Sequence, residues 1–260
     1  MNAIRVIALN LLCLCQICMA SPMKVLVDPG HGGKDSGATS NGLYESELVL
    51  KISKILLNKL NSDPRFEADL SRGSEQFFGL SKRVSKAHSM GADVFISIHA
   101  NWSPDKRARG LEVYFQNQLP LEEETLYLAS LENGHDGHMG AKDSSPVTPH
   151  PLNQSFSSTS GDVRNILQDL YRNRKVSKSA ELSKQIAKSW KGLKKRPENT
   201  IRQAPFFVVS KAEIPAVLVE VGFVSNNKEA KKLKTSSYQN LIADSLYQGL
   251  IRYKDSMDIH

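Results

Sequence analysis

The stretch KVLVDPGHGGKDSGA, residues 24–38, decides how this chain folds. Its short run Val25 to Asp28 reads as a buried strand, closed by the turn signal Pro29-Gly30. The glycine-rich turn that follows carries one histidine, His31. Glycines let the backbone bend sharply just past a strand, where ligands of open α/β sheets bind. Three uses fit such a turn: cradling a phosphate, delivering a metal ligand, or turning a corner. The phosphate use fits least well, because GHGGKDSG is neither a dinucleotide fingerprint nor a complete Walker motif.

Beyond this turn, strand and helix patterns alternate. Glu45 to Leu60 has Leu48, Ile52, Leu56 and Leu60 at helical spacing, preceded by an Asn41-Gly42 turn. A short strand is expected at Phe66 to Leu70, a helix at Leu80 to Met90 and a strand at Asp93 to His99. Gly110 to Gln116 alternates like an edge strand or hairpin partner. A helix follows at Ser179 to Leu193, then elements at Pro205 to Ser210 and Ala216 to Val221, and a last helix around Leu241 to Tyr253. This rhythm predicts a single three-layer α/β domain, with a mostly parallel twisted sheet flanked by helices. Residues 117–162 break it: a helix at Leu121 to Asn133 leads into a Gly-, Ser-, Pro- and His-rich stretch, the pattern of a lid-like insert.

Residues 1–20 carry Arg5, an apolar run from Val6 with no acidic residue, and Ala20 before Ser21 and Pro22. That is the layout of a secretory signal peptide, too short for a membrane span. The three cysteines, Cys13, Cys15 and Cys18, all lie inside it, so the mature chain from residue 21 to 260 is expected to need no disulfide. The formal charge of +7 loses only Arg5 with this segment and becomes +6. A basic exported protein suits an anionic wall polymer better than nucleic acid. The basic run at 188–198 reads as a solvated helix end.

Four acid or imidazole side chains stand where strands end or helices begin: His31, Glu45, His99 and Glu220. Two imidazoles and one carboxylate are a sufficient protein ligand set for catalytic zinc. Glu45 alone is also explained as a helix N-terminal charge, and each histidine as a hydrogen-bonded structural residue. Glu220 is harder to set aside, because a carboxylate in an apolar run is costly to bury unless paired or metal-bound. From the residues alone both readings stand.

The strings VDPGHGGKDSGA, GLYESELVLKIS, SRGSEQFFGLSKRVSKAHSMGADVFISIHAN and APFFVVSKAEIPAVLVEVGFVSN, in this order, resemble the catalytic domain of zinc-dependent N-acetylmuramoyl-L-alanine amidases, in particular the cell-separation group. Ser36 and Ser71 depart from the family's commoner proline and threonine. The resemblance implies one Zn2+ held by His31, Glu45 and His99, with Glu220 as catalytic glutamate. It implies cleavage of the amide between N-acetylmuramic acid and the L-alanine of the stem peptide. It also implies that the segment 121–140 covers the zinc, with Glu132 as inhibitory ligand, until a protein activator displaces it; the alternative reading of that segment is an ordinary surface helix. Arg72 and Arg83 match family positions read as structural pairs, while Asn101 and Ser225 are read as shaping the cleft. His135, His138 and His150 are further imidazoles, expected to be solvent-exposed. The expected protein is a periplasmic monomer with peptidoglycan as partner, no nucleic acid and no membrane span. The alternative location is extracellular. A zinc carboxypeptidase or deacetylase of the wall, and a non-catalytic wall-binding regulator, remain the alternatives.

Overall fold

The computed structural model describes residues 21–40, 42–117, 123–134, 146–148, 161–192 and 200–257. The expected signal segment, Asn41, His135, His138, His150 and most of the basic run lie outside the described residues.

A six-stranded sheet organises the chain in the order β4-β1-β5-β8-β6-β7. Its strands are β1 (Met23–Pro29), β4 (Phe66–Leu70), β5 (Val94–Asn101), β6 (Glu112–Phe115), β7 (Ile201–Gln203) and β8 (Ala216–Phe223). Strands β4, β1, β5 and β8 run parallel, and β6 returns antiparallel to β8 with β7 parallel to β6. A two-stranded hairpin, β2 (Thr39–Ser40) with β3 (Leu43–Tyr44), turns at Gly42, whose φ of 69° a residue without Cβ adopts freely. Seven helices complete the described chain: α1 (Glu45–Asn61), α2 (Leu80–Ser89), α3 (Glu123–Gly134), α4 (Gly161–Ser189), α5 (Phe207–Lys211), α6 (Asn227–Leu233) and α7 (Ser236–Met257).

The period-2 alternation of the central strands divides their side chains between two apolar cores. Val25, Val27, Ile96, Ile98, Val217 and Val219 face α1, α7 and the second half of α4. Leu26, Phe95 and Leu218 face α2 and α5 and also meet Ala129 of α3. Helices therefore cover both faces, as the sequence rhythm requires. Leu48, Ile52 and Leu56 of α1 are fully or almost fully buried, so truncating one to alanine costs about 2–5 kcal/mol.

Two expectations about elements change. The strand at 112–115 is not an edge, because β7 pairs beyond it; only three residues long, β7 is too short to announce itself by alternation. Helix α4 begins at Gly161 rather than near Ser179. Its first half leaves Val163, Ile166 and Leu170 exposed, so it has no buried stripe to set the helical periodicity.

Candidate metal centre

The carboxyl ends of β1, β5 and β8 meet at one edge of the sheet, and the turn after β1 is strongly held there. His31 adopts φ 54°, a left-handed conformation that costs a non-glycine residue about 1–3 kcal/mol. Two buried arginines secure it from beneath. Arg83 donates to the His31 carbonyl at 2.7 Å and to the Asp28 carboxylate at 2.7 Å, while Arg72 donates to the Gly30 carbonyl at 2.7 Å and the Ser46 carbonyl at 2.9 Å. Asp28 also accepts from Ser97 Oγ at 2.8 Å and from Ser71 Oγ.

Held this way, the His31 ring meets His99 edge-on, with centroids 4.9 Å apart. Glu45, first residue of α1, turns inward to both: its Oε1 lies 3.2 Å from His31 Nε2 and 3.1 Å from His99 Nδ1. Backbone amides fix that carboxylate, Ala100 N donating to Oε1 at 2.9 Å and Ala38 N to Oε2 at 2.8 Å. Ligand atoms of His31, Glu45 and His99 all fall within 4.8 Å of one another, and all three residues are buried. Glycine is required around them. A Cβ on Gly30 would enter the His99 ring, and one on Gly37 would lie 2.5 Å from His31 Cδ2 and 2.7 Å from Glu45 Oε2.

Burial alone would push the His31 imidazole down and the Glu45 carboxyl up. Their mutual attraction reverses both: Glu45, Glu132 and Asp35 raise His31 well above its ordinary value, and the imidazoles hold Glu45 far below the usual carboxylate range.

Glu220 stands beside this cluster on β8, in register with His99 on β5 and with Glu112 on β6. It is buried, and its Oε2 has no hydrogen-bond partner among the described residues. Burial raises its carboxyl well above the ordinary range, helped by the charges of Glu45, Glu132 and Glu112.

Glu132 of α3 reaches over the cluster from outside the sheet, its Oε2 3.4 Å from His31 Nε2 and 3.5 Å from His99 Nδ1. Its neighbour Asn133 anchors the helix end, donating to the Pro205 carbonyl at 3.1 Å and accepting from Phe207 N at 2.7 Å. A small cavity of about 30 Å³ lies beside the two rings, bounded by Glu132, Val208, Phe77, Phe78 and Arg83.

Asn101 donates to Glu112 at 2.9 Å, and Ser225 Oγ accepts from Ser103 N at 3.0 Å, so both brace the loop after β5. One contributor escaped the sequence reading: Asp35, whose Oδ2 lies 2.8 Å from His31 Nδ1. Its signal was its place four residues beyond His31 in the same turn.

A family model described as N-acetylmuramoyl-L-alanine amidase, Amidase_3, matches residues 25–252. The chain is 34% identical over 231 residues to the amidase AmiA of Salmonella typhimurium, covering 88% of this chain and 75% of that protein. It is 30% identical over 238 residues to AmiC of Escherichia coli, covering 89% of this chain and 53% of AmiC, and so spans about half the length of that relative. Among solved structures it resembles the catalytic domain of CwlV, an N-acetylmuramoyl-L-alanine amidase from Bacillus (Paenibacillus) polymyxa, with 27% identity and a TM-score of 0.61, covering 90% of this chain and 98% of that one. A match that runs from the first strand almost to the end of the last helix means that the chain belongs to the N-acetylmuramoyl-L-alanine amidase family.

Proposed function

We propose that this chain, as the catalytic domain 21–260, is a zinc-dependent amidase that separates the L-alanine of the stem peptide from N-acetylmuramic acid in peptidoglycan. The carrying observation is the convergence of His31, Glu45 and His99 within 4.8 Å beside the buried Glu220.

The donor set fits a zinc ion. With Asp35 accepting the Nδ1 proton of His31, the Nε2 lone pair faces the Glu45 and Glu132 carboxylates. A lone pair set against carboxylates requires a cation between them, and in the metal-free chain a proton meets that need, which is why His31 titrates high. Zinc, when bound, polarises an amide carbonyl and acidifies a water to a nucleophile near neutral pH.

The protein groups then divide the work. Glu45 is locked by two amides and stays ionised, so it can serve only as a ligand. Glu220, with an unpartnered oxygen and a raised proton affinity, takes the proton of the attacking water and returns it to the departing amine. Glu132 reaches over the two imidazoles, where a zinc ion would be held, and this supports an autoinhibited resting state. Release requires α3 to move, and a protein activator is the agent we assign to that step. Export by residues 1–20, a periplasmic location, a role in cell separation and a monomeric state complete the proposal. No described helix is long and apolar enough to cross a membrane.

The test is digestion of purified sacculi by wild type and Glu220→Gln, with and without chelator, and product identification by mass. Free stem peptides made only by metal-loaded wild type are the expected result. Release of terminal D-alanine or of acetate would assign the site to a carboxypeptidase or a deacetylase instead.

A further inference from the structure

Outside α3 and α4, only two large apolar side chains are exposed among the described residues, Tyr44 and Trp102. Both adjoin the candidate metal centre: Tyr44 precedes Glu45, and Trp102 follows Asn101, three residues beyond His99. At about 3.3 Å per strand residue, Trp102 stands within roughly 10 Å of His99 along the chain. Its loop, residues 102–111, leaves the carboxyl end of β5 and enters β6 at Glu112, which is paired with Glu220. Both ends of the loop are therefore at the edge of the sheet that carries the site.

The loop is rigidly mounted. Ser225 Oγ accepts from Ser103 N at 3.0 Å, and Asn226 donates to the carbonyls of Lys106 and Ala108 at 2.9 and 3.2 Å. Glu229 accepts from Gly110 N at 3.1 Å. Such anchoring holds an indole that is half exposed, with Lys106 Nζ 4.9 Å from its ring centroid. Residues 102–109 carry three cations against one acid, and the acid, Asp105, is taken by Arg107. Lys106 remains to meet an anion.

We propose that Trp102 and Lys106 form a glycan-binding platform at the rim of the active site, resting on the amidase reading above. A sugar ring presents an apolar C–H face that packs on the indole, as other flat apolar bodies do, while the ammonium meets a carboxylate of the neighbouring stem peptide. The occupant is a stretch of polymeric wall longer than the unit being cut. The platform thus favours intact glycan strands over short soluble fragments.

The test is sedimentation of the full chain with sacculi, together with kinetics on two substrates with Glu132→Ala in every protein, for otherwise wild type, Trp102→Ala, Trp102→Phe and Lys106→Ala. Trp102→Ala is expected to lose about tenfold in sacculus affinity, the scale of one aromatic contact. Its KM for polymeric wall should rise with kcat unchanged, and Trp102→Phe should recover part of the loss. Cleavage of a short soluble muramoyl peptide should be unaffected. Equal binding by wild type and Trp102→Ala overturns the platform, as does equal loss on both substrates. If wild type binds sacculi through Trp102 yet releases no stem peptide even with Glu132 removed, the platform stands and the amidase reading falls.

Discussion

The Glu132 carboxylate lies 3.4 Å from Nε2 of His31, on the side of the ring that also meets Glu45. This contact joins a helix in the most irregular part of the chain to the first turn of the sheet, and it sets a carboxylate against both imidazoles. If it restrains activity, Glu132→Ala should raise stem-peptide release from labelled sacculi about tenfold or more without any activator, since losing ~1.4 kcal/mol of lid closure is worth that factor. Glu132→Gln, which keeps the shape and removes the charge, should fall between. Unchanged release from a folded Glu132→Ala protein would count against a restraining role.

Metal binding can be read separately from activity. His31→Ala, Glu45→Ala and His99→Ala should each lose bound zinc by mass spectrometry of the native protein while keeping the circular dichroism of the α/β sheet. Asp35→Ala should weaken zinc about 10–100-fold, because it removes the group that orients His31. Added zinc should restore its activity, which it cannot do for the ligand variants.

The two carboxyls titrate in opposite senses, and the difference is measurable. Burial raises Glu220 above its ordinary value of 4.5. Its contribution to stability is therefore full below that value and is lost as pH rises through the raised one. In chelated protein, Glu220→Gln should gain in melting temperature relative to wild type as pH increases from the carboxylate range through neutrality. Glu45, held far below the usual carboxylate range by the imidazoles, stays ionised across this interval. A gap that narrows with rising pH would contradict the assignment.

The arginine support beneath the turn should be costly to remove. Arg83→Ala leaves Asp28 buried without its cation and frees the His31 carbonyl, so chemical denaturation should show a loss of about 3–5 kcal/mol. Replacing Arg83 by Met and Asp28 by Asn together should recover part of it, because no lone buried charge then remains.

By itself the sequence determined the layers and the chemistry-bearing residues. The stretches 25–28 and 93–99 could be read as strands because a short continuous apolar run closed by turn residues is a local signal. The same locality explains why β7 and the first half of α4 were not legible: one is three residues long, and the other buries no stripe. The four groups His31, Glu45, His99 and Glu220 stood out individually as acids or imidazoles at element ends. Only the tertiary structure decided that they share one edge of the sheet, because that depends on parallel pairing of β1, β5 and β8 across long stretches of chain. It also decided what surrounds them: Asp35 behind His31 and Glu132 across both rings. Distances of about 3 Å between segments remote in sequence come from packing, which no local pattern encodes.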